Sequence, residues 1–204
     1  MAAKHRSMMV LVLGVLAAGC SSGPTILTHN LTGYGQMPPG KTAVLKVTAQ
    51  PLGKPMSFGA FWGIIETPNA PSALMELLAH VAHEQAGLDV IPPAEVNRKL
   101  KAAGITFTLE PDQEQIENSI QTLGLESYLT AHVDEWGSRW LLTSTKAAIR
   151  FQLSCYLPGS DGPLWTMTVE DARKGLSDRE IAVEALREAF RYLKASPAQA
   201  QPAQ

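Results

Sequence analysis

The feature that most constrains this chain is an apolar run near its start. Residues 8–19 are apolar or small throughout, they follow the basic residues Lys4 and Arg6, and they stop at Cys20. A helix needs about 20 apolar residues to cross the hydrocarbon core of a bilayer, so this run is too short to be a transmembrane segment. A basic start, a brief apolar run and a small-residue end are typical of a secretory signal peptide. We therefore predict that residues 1–19 are a signal peptide.

The residues that end the run, Ala17-Ala18-Gly19-Cys20, resemble the lipobox of bacterial lipoproteins. The resemblance implies cleavage before Cys20, lipidation of its thiol and a mature chain that begins Cys-Ser-Ser. Ser21 in place of an aspartate implies, by the same resemblance, sorting to the outer membrane, on its periplasmic face. The alternative is an ordinary signal peptide followed by an incidental cysteine.

Composition narrows the class of protein further. The chain has 204 residues, of which 45% are hydrophobic, so the part left after removal of the signal peptide can bury the core of one domain. Without Lys4 and Arg6 it carries 15 basic residues against 19 acidic ones, with no basic patch, which disfavours binding to nucleic acid. Cys155 is the only cysteine besides Cys20, so no disulfide framework can be built.

The chain divides into a tether, a domain and a tail. Residues 20–42 are rich in Gly, Ser, Thr and Pro, which predicts a flexible tether between the lipid and the domain. Residues 43–194 alternate helical and strand patterns and predict a single α/β periplasmic domain. Residues 195–204 lack apolar bulk and predict a disordered tail.

The first half of the domain has the pattern of a βαβ unit. A β-rich run over Ala43–Ala49 is followed by a helix over Pro71–Ala86, whose apolar residues form one stripe, and by a short strand over Leu88–Ile91. Two more helices are predicted, over Ala94–Ala103 and Pro111–Leu123.

The second half predicts an antiparallel meander of three strands. From Glu126 the apolar residues recur every second position, up to a break or bulge at Trp136-Gly137. Strands over Trp140–Tyr156 and Leu164–Asp171 follow, and a capping box that starts at Ser177 opens a last helix that runs to Lys194. The predicted fold class is therefore α/β: a mixed sheet with a βαβ start, an antiparallel three-stranded meander and helices packed on the sheet.

A glycine-rich loop with aromatic residues is the candidate contact surface. The aromatic loop, Gln50–Asn69, contains Phe58, Phe61 and Trp62, and apolar rings are costly to leave in water. They either contact a partner or fold over the edge of the core. Trp136 and Trp140, with Trp165 across the meander, are further aromatic candidates, for core packing or for a contact at a strand edge.

The side chains that could carry chemistry form weak patterns. His80 and His83 lie three residues apart on the first helix, near Glu76 and Glu84, a spacing that could hold a metal but is more typical of a solvated helix face. His132 and Asp134 alternate on the wet face of a strand, without a nucleophile placed beside them. Cys155 shares a strand face with Phe151 and Leu153, which favours a buried, inert thiol over a nucleophile. We predict no catalytic residues, no metal and no cofactor.

Four short segments form a recognisable set: Gly87–Pro92, Val133–Gly137, Ser144-Thr145 and Gly162–Trp165. They resemble outer-membrane lipoproteins typified by a Neisserial vaccine-candidate antigen, and more distantly the curli-secretion-channel lipoprotein and the lipoproteins that activate penicillin-binding proteins. The sequence departs from the family at Leu123–Ser127, where Gly-Ala-Asp is usual, and at Ala49–Pro51, where a double proline and asparagine are usual. The resemblance implies a domain like the N-terminal domain of TolB, without known catalytic residues.

Together these observations predict a lipid-anchored, non-enzymatic component of an outer-membrane assembly, transport or secretion system. Its expected partners are the membrane, through the N-terminal lipid, and other envelope proteins. An exposed strand edge could also pair two copies as a homodimer. The alternatives are a lipoprotein regulator of a peptidoglycan synthase and, from a different class, an envelope hydrolase that uses His80, His83 or His132.

Overall fold

The computed structural model describes residues 25–28, 37–38, 40–50, 63–66, 69–141 and 144–195. Among these residues no helix is both long and apolar enough to cross a membrane. The strands are β1 Thr25–Thr28, β2 Lys41–Ala49, β3 Gly63–Glu66, β4 Asp89–Val90, β5 Ser127–Leu141, β6 Ser144–Tyr156 and β7 Trp165–Arg173. The helices are α1 Ala70–Val81, continued by a π-helical turn over Ala82–Ala86, then α2 Pro93–Ala102, α3 Gln113–Leu123 and α4 Asp178–Ala195.

The strands form one mixed sheet in the order β1-β7-β6-β5-β2-β4, and β3 pairs with the far end of β5. β2 lies between β4 and β5 and is parallel to both, while the other pairs are antiparallel. The strand β2, helix α1 and strand β4 make the predicted βαβ unit, and β5, β6 and β7 make the predicted meander. The α/β fold class is therefore confirmed.

One face of the sheet is covered by α1 and α4. Val44 and Val47 of β2 point to this side and pack with the apolar residues of both helices. The capping box of α4 is present, since the Ser177 hydroxyl accepts from the Glu180 backbone N–H while the Glu180 carboxylate accepts from the Ser177 backbone N–H. This face holds most of the buried apolar residues. Burial of each large apolar side chain contributes about 1.5–3 kcal/mol. The predicted inner stripe of α4 is fully buried: Ala182, Ala185, Leu186, Ala189, Phe190 and Leu193.

The opposite face is covered only in part. Ala43 and Leu45 of β2 point to this side, where α2 and α3 pack on them through Val96, Leu100 and other apolar residues. The part of this face formed by β5 and β6 carries polar or half-exposed residues instead. The sheet therefore keeps a polar surface beside α3.

Two segments predicted to lack regular structure contain strands. Thr25–Thr28, inside the predicted tether, forms β1 and pairs with β7, so the tether interpretation is wrong for these four residues. Gly63–Glu66, inside the predicted aromatic loop, forms β3. Both strands are only four residues long, too short to show a period, and their pairing with distant strands is what stabilises them. The signal peptide and residues 196–204 of the predicted tail lie outside the described residues, and Ala195 belongs to α4.

The middle strand differs from its prediction at Trp136-Gly137. β5 continues through these residues to Leu141 without a break, so Trp140 belongs to β5 and not to the start of β6. The bulge lies two residues earlier: Val133 is opposite Phe151 and Glu135 is opposite Arg150, which leaves Asp134 as the extra residue. Before the bulge Val133 faces the core, and after it Trp136 does.

Candidate partner-binding surface

The β5–β6 hairpin extends beyond its neighbours β2 and β7. The last pair that β2 makes with β5 is Ala49 with Val133, and the last pair between β6 and β7 is Ala147 with Arg173. Three further pairs between β5 and β6 follow, and we call them the hairpin tip: Arg139 with Lys146, Trp140 with Thr145, and Leu141 with Ser144.

The short strand β3 joins the aromatic loop to this hairpin. It runs antiparallel to β5, with Gly63 opposite Trp140 and Glu66 opposite Gly137. Phe58, Phe61 and Trp62 lie outside the described residues, but Trp62 directly precedes Gly63 in the chain. The topology therefore brings Gly63, the residue that follows the three aromatic residues in the chain, to a position opposite Trp140. The sequence carries no signal for this pairing, because the two segments are far apart in the chain.

Trp136 does not belong to a contact surface. Its side chain is 3% exposed and packs in the main core, two pairs beyond the bulge and opposite Ile149. Trp165, the third tryptophan considered for the meander cluster, is also fully buried in that core. Core packing, one of the two alternatives left open by the sequence, is thus the role of both residues.

The uncovered part of the sheet forms a shallow groove of about 300 Å³ beside α3. The Thr48 hydroxyl and His132 Nδ1 are 2.6 Å apart across β2 and β5, which is a short hydrogen bond. The other ring nitrogen, Nε2, is 3.7 Å from Asp134 Oδ1, longer than a hydrogen bond. Tyr128 and Tyr156 are opposite each other at one end of the groove, with their rings stacked 5.1 Å apart. The Thr48 hydroxyl therefore makes the hydrogen bond to the His132 imidazole, and the Asp134 carboxylate lies within ion-pair distance of the same ring.

The histidines of the first helix are held by local contacts. His80 Nε2 lies 3.2 Å from the Glu84 carboxylate, and both side chains are exposed. His83 Nδ1 is 3.0 Å from the backbone carbonyl of Leu88. Glu76 reaches towards Arg179 of α4, with 3.9 Å between the charged atoms. Within the described ranges no three side chains of His, Cys, Asp or Glu converge as metal ligands would.

Cys155 is fully buried in β6. Burial raises the pKa of its thiol to about 12, because the thiolate would have to exist among apolar neighbours. The predicted face that Cys155 shares with Phe151 and Leu153 is confirmed, since all three pack in the main core. A thiol in this state is protonated near neutral pH and is a poor nucleophile.

No protein-family model matches the sequence, and no curated protein matches it. Solved structures do match. The PelC dodecamer from Paraburkholderia phytofirmans aligns at a TM-score of 0.54 and 12% identity, over 85% of this chain and 99% of PelC. Lipoprotein GNA1162 from Neisseria meningitidis aligns at a TM-score of 0.50 and 17% identity, over 78% of this chain and all of GNA1162. The LpoB C-terminal domain from Salmonella enterica gives a lower TM-score of 0.43, at 13% identity.

These matches show a shared fold. The domain of this chain covers nearly the whole length of both PelC and GNA1162, so the correspondence involves the complete architecture and not a single motif. The structural neighbours include the Neisserial lipoprotein of the kind that the sequence motifs resemble. The resemblance stated from the sequence is therefore confirmed at the level of the fold.

Proposed function

We propose that this protein is a lipid-anchored, non-enzymatic component of an outer-membrane assembly, transport or secretion system, and that it acts through protein–protein contacts on the periplasmic face. One observation carries the proposal: the domain has the fold of the lipoprotein GNA1162 over that protein's full length, and it follows a lipobox-like Ala-Ala-Gly-Cys. Two or more acyl chains on Cys20 would anchor it stably, at about 0.8 kcal/mol for each buried methylene.

The aromatic loop is the proposed protein contact, through Phe58, Phe61 and Trp62. Support comes from its position, because β3, which directly follows the three aromatic residues, pairs with the part of β5 that extends beyond β2. Aromatic side chains are enriched among the residues that contribute most to protein interfaces. Trp140, another predicted contact residue, lies opposite Gly63 where this loop joins the sheet.

The non-enzymatic part of the proposal has its own support. The thiol of Cys155 is buried and protonated, and the His132 imidazole is bonded to a threonine hydroxyl instead of a carboxylate. His80 and His83 make separate contacts with Glu84 and with the Leu88 carbonyl. Each of the three histidines that an envelope hydrolase would use is thus held by a structural contact.

The anchor is tested by Cys20→Ser in cells, followed by separation of the membranes and immunoblotting. We expect the wild-type protein in the outer-membrane fraction and the variant released from it. The matched control is Cys155→Ser, which removes the other thiol and should leave the protein at the outer membrane. Retention of the Cys20→Ser variant at the outer membrane would show that the anchor is elsewhere.

The contact surface is tested by crosslinking in intact cells, purification of the lipoprotein and mass spectrometry of what accompanies it. Recovery of transport or secretion proteins supports the proposal, and recovery of a peptidoglycan synthase instead would favour the regulator. Replacement of Phe58, Phe61 and Trp62 together by alanine should remove these partners. The control is Tyr192→Ala, an exposed aromatic on α4. If the triple variant folds and keeps every partner, the surface assignment is wrong.

We propose a second kind of contact, between copies of this chain. PelC, with the same fold, forms a dodecamer, and β3 has no partner on its outer edge among the described strands. An unpaired strand edge can pair with a second copy. Sedimentation of the purified protein should give a dimer or larger species, and a monomer at all concentrations would rule this part out.

A further inference from the structure

The helices α2 and α3 carry opposite charges on their outer surfaces. They lie in contact on the second face of the sheet and bury their apolar residues there. The exposed residues of α2 include Arg98 and Lys101, and those of α3 include Glu114 and Glu117. Residues three apart lie on the same side of a helix, so each helix presents its two charges together. We call these four residues the charged layer.

The surface of α2 has an excess of positive charge. Glu95 is the only acidic residue of this helix, against three basic ones. Its carboxylate lies 2.8 Å from the Lys99 ammonium and 3.8 Å from the Arg98 guanidinium, and the hydrogen bond from Lys99 holds the pKa of Glu95 below its ordinary value. Lys101 makes no ion pair with another described residue. One acidic residue thus balances only part of the charge of the helix.

The surface of α3 is acidic. Residues 110–126, which contain this helix, include five acidic residues and no basic one. Among the described residues none of the five pairs with a basic side chain, although α3 is in contact with α2. Acidic side chains one turn apart repel each other, so a positive partner would relieve the repulsion. The five are Glu110, Asp112, Glu114, Glu117 and Glu126.

A second copy of this chain has the complementary surface. A twofold axis that runs along the layer, between the two helices, places α2 of each copy over α3 of the other. In such a contact the same patch serves both subunits, so every attraction occurs twice. The alternative arrangement, with α2 over α2, opposes like charges and is disfavoured.

We propose that the charged layer is a self-complementary interface, in which Arg98 and Lys101 of each copy face Glu114 and Glu117 of the other. It does not use the edge of β3. The complementary charges set the orientation of the pair and its sensitivity to salt. The inference goes beyond the proposed function by stating which surface of this domain meets its second copy.

The size of the layer predicts a weak pair. The helices have 10 and 11 residues and adjacent helices lie about 10 Å apart, so the layer measures roughly 16 Å by 20 Å. This is less than the roughly 800 Å² that each partner buries in a standard interface. Anchors in one membrane raise the effective concentration of two copies and so favour their pairing. This last step rests on the proposed function, since it takes the protein as lipid-anchored.

The test measures energy transfer between lipidated full chains in vesicles. Asp161→Cys supplies a labelling site in an exposed turn, because Cys155 is buried. Donor-labelled and acceptor-labelled copies are mixed at a low ratio of protein to lipid. We expect more transfer than randomly distributed copies give, and a fall towards the random value at 1 M salt, where the Debye length is about 3 Å. Transfer that does not respond to salt would overturn the charge pairing.

Charge reversal identifies the surfaces that meet. Arg98→Glu with Lys101→Glu makes both helices acidic, and Glu114→Lys with Glu117→Lys makes both basic. Each variant on its own should give only the random value. A mixture of the two should restore the transfer, because α2 of each copy then faces the opposite charge on α3 of the other. Failure of the mixture to restore the transfer would overturn the proposal.

The matched control is Lys174→Glu with Lys194→Glu, which makes the same change of charge at two exposed lysines outside the layer. It should leave the transfer unchanged, and an equal loss in this variant would overturn the assignment to α2 and α3.

The readouts separate this inference from the proposed function. Protein that fails to sediment with the vesicles lacks the anchor, which overturns the proposed function and the pairing on the membrane that depends on it. Wild-type protein that sediments but shows only random transfer keeps the anchor and overturns both proposals of self-association. Transfer that survives reversal of Arg98 and Lys101 keeps self-association and overturns the charged layer alone.

Discussion

The guanidinium of Arg173 lies 2.6 Å from the carboxylate of Asp171. Asp171 lies near the end of β7, and only 4% of it is exposed. A second nitrogen of Arg173, Nε, donates to the other carboxylate oxygen at 3.1 Å, and Nη1 contacts Glu184 of α4. The hydrogen bond to Asp171 raises the pKa of Arg173 above its ordinary value, and it outweighs the opposing effect of burial. These contacts connect the last strand to the last helix.

Replacement of Asp171 by asparagine should therefore destabilise the domain. The change leaves the Arg173 charge half-buried with a weaker acceptor, and we expect the free energy of unfolding to fall by about 2–4 kcal/mol. Urea unfolding followed by circular dichroism measures this loss. The control is Glu188→Gln, which breaks an exposed ion pair with Arg191 and should cost less than about 0.5 kcal/mol. Equal effects of the two substitutions would contradict a structural role for the buried pair.

The capping box of α4 predicts a smaller loss. Ser177→Ala leaves the Glu180 backbone N–H without its acceptor, so stability should fall by about 1 kcal/mol. Ser177→Asp keeps a good capping oxygen and should stay close to the wild type. Thermal unfolding of the two variants side by side distinguishes a lost cap from a mere change of residue at this position.

The same box predicts a dependence on acid. The backbone N–H of Ser177, and then its hydroxyl, hold the pKa of Glu180 below the ordinary value of 4.5. A carboxylate with a depressed pKa in the folded state stabilises the fold above its unfolded pKa, and this contribution disappears as the pH falls through the folded value. Glu180→Gln should therefore narrow the difference in unfolding midpoint between neutral and acid pH. An unchanged difference would show that Glu180 does not contribute to it.

The burial of Trp136 predicts a large effect that has nothing to do with binding. Trp136→Ala opens a cavity in the main core and should cost about 3–5 kcal/mol. The same truncation of Tyr192, which is 46% accessible on α4, should cost much less stability. Chemical denaturation gives both values. A stable Trp136→Ala variant would mean that this tryptophan lies outside the core.

The buried thiol predicts protection from alkylation. In the Cys20→Ser variant, Cys155 should react with iodoacetamide only after unfolding, because its pKa of about 12 and its burial suppress the thiolate. The raised pKa of the folded-state thiol also makes stability depend on pH. The contribution of Cys155 to stability is complete below the ordinary thiol pKa of 9.0, and it is lost as the pH rises towards about 12. Mass spectrometry of the native and the denatured protein counts the alkylated thiol. Rapid labelling of the native protein would contradict the assigned burial.

Local patterns in the sequence predicted the parts of the fold that local physics determines. The stripe on α4 recurs at helical spacing, and its capping box lies within four consecutive residues, so both could be recognised without knowledge of the partner elements. The alternation of Leu129, Ala131 and Val133 likewise indicated which face of β5 is buried, and all three face the main core.

The remaining features depend on residues that are distant in the chain. Val44 and Val47 face the same side of β2 because Leu45 is an extra residue in its pairing with β5, and a short apolar run cannot show which residue is extra. The candidate site shows the same limit. Its aromatic residues could be identified in the sequence. Their position beside the hairpin could not, because it depends on the pairing of Gly63 with Trp140.

The bulge at Asp134 lies next to Val133, the last residue of β5 that pairs with β2. A bulge bends its strand and increases the local twist, so the hairpin changes direction where its pairing with β2 ends. Deletion of Asp134 would leave a regular ladder in which Val133 and Trp136 still face the core. Such a protein would keep its stability and the composition of its tip while aiming the tip elsewhere. The direction of the hairpin and the residues at its tip can therefore be varied independently.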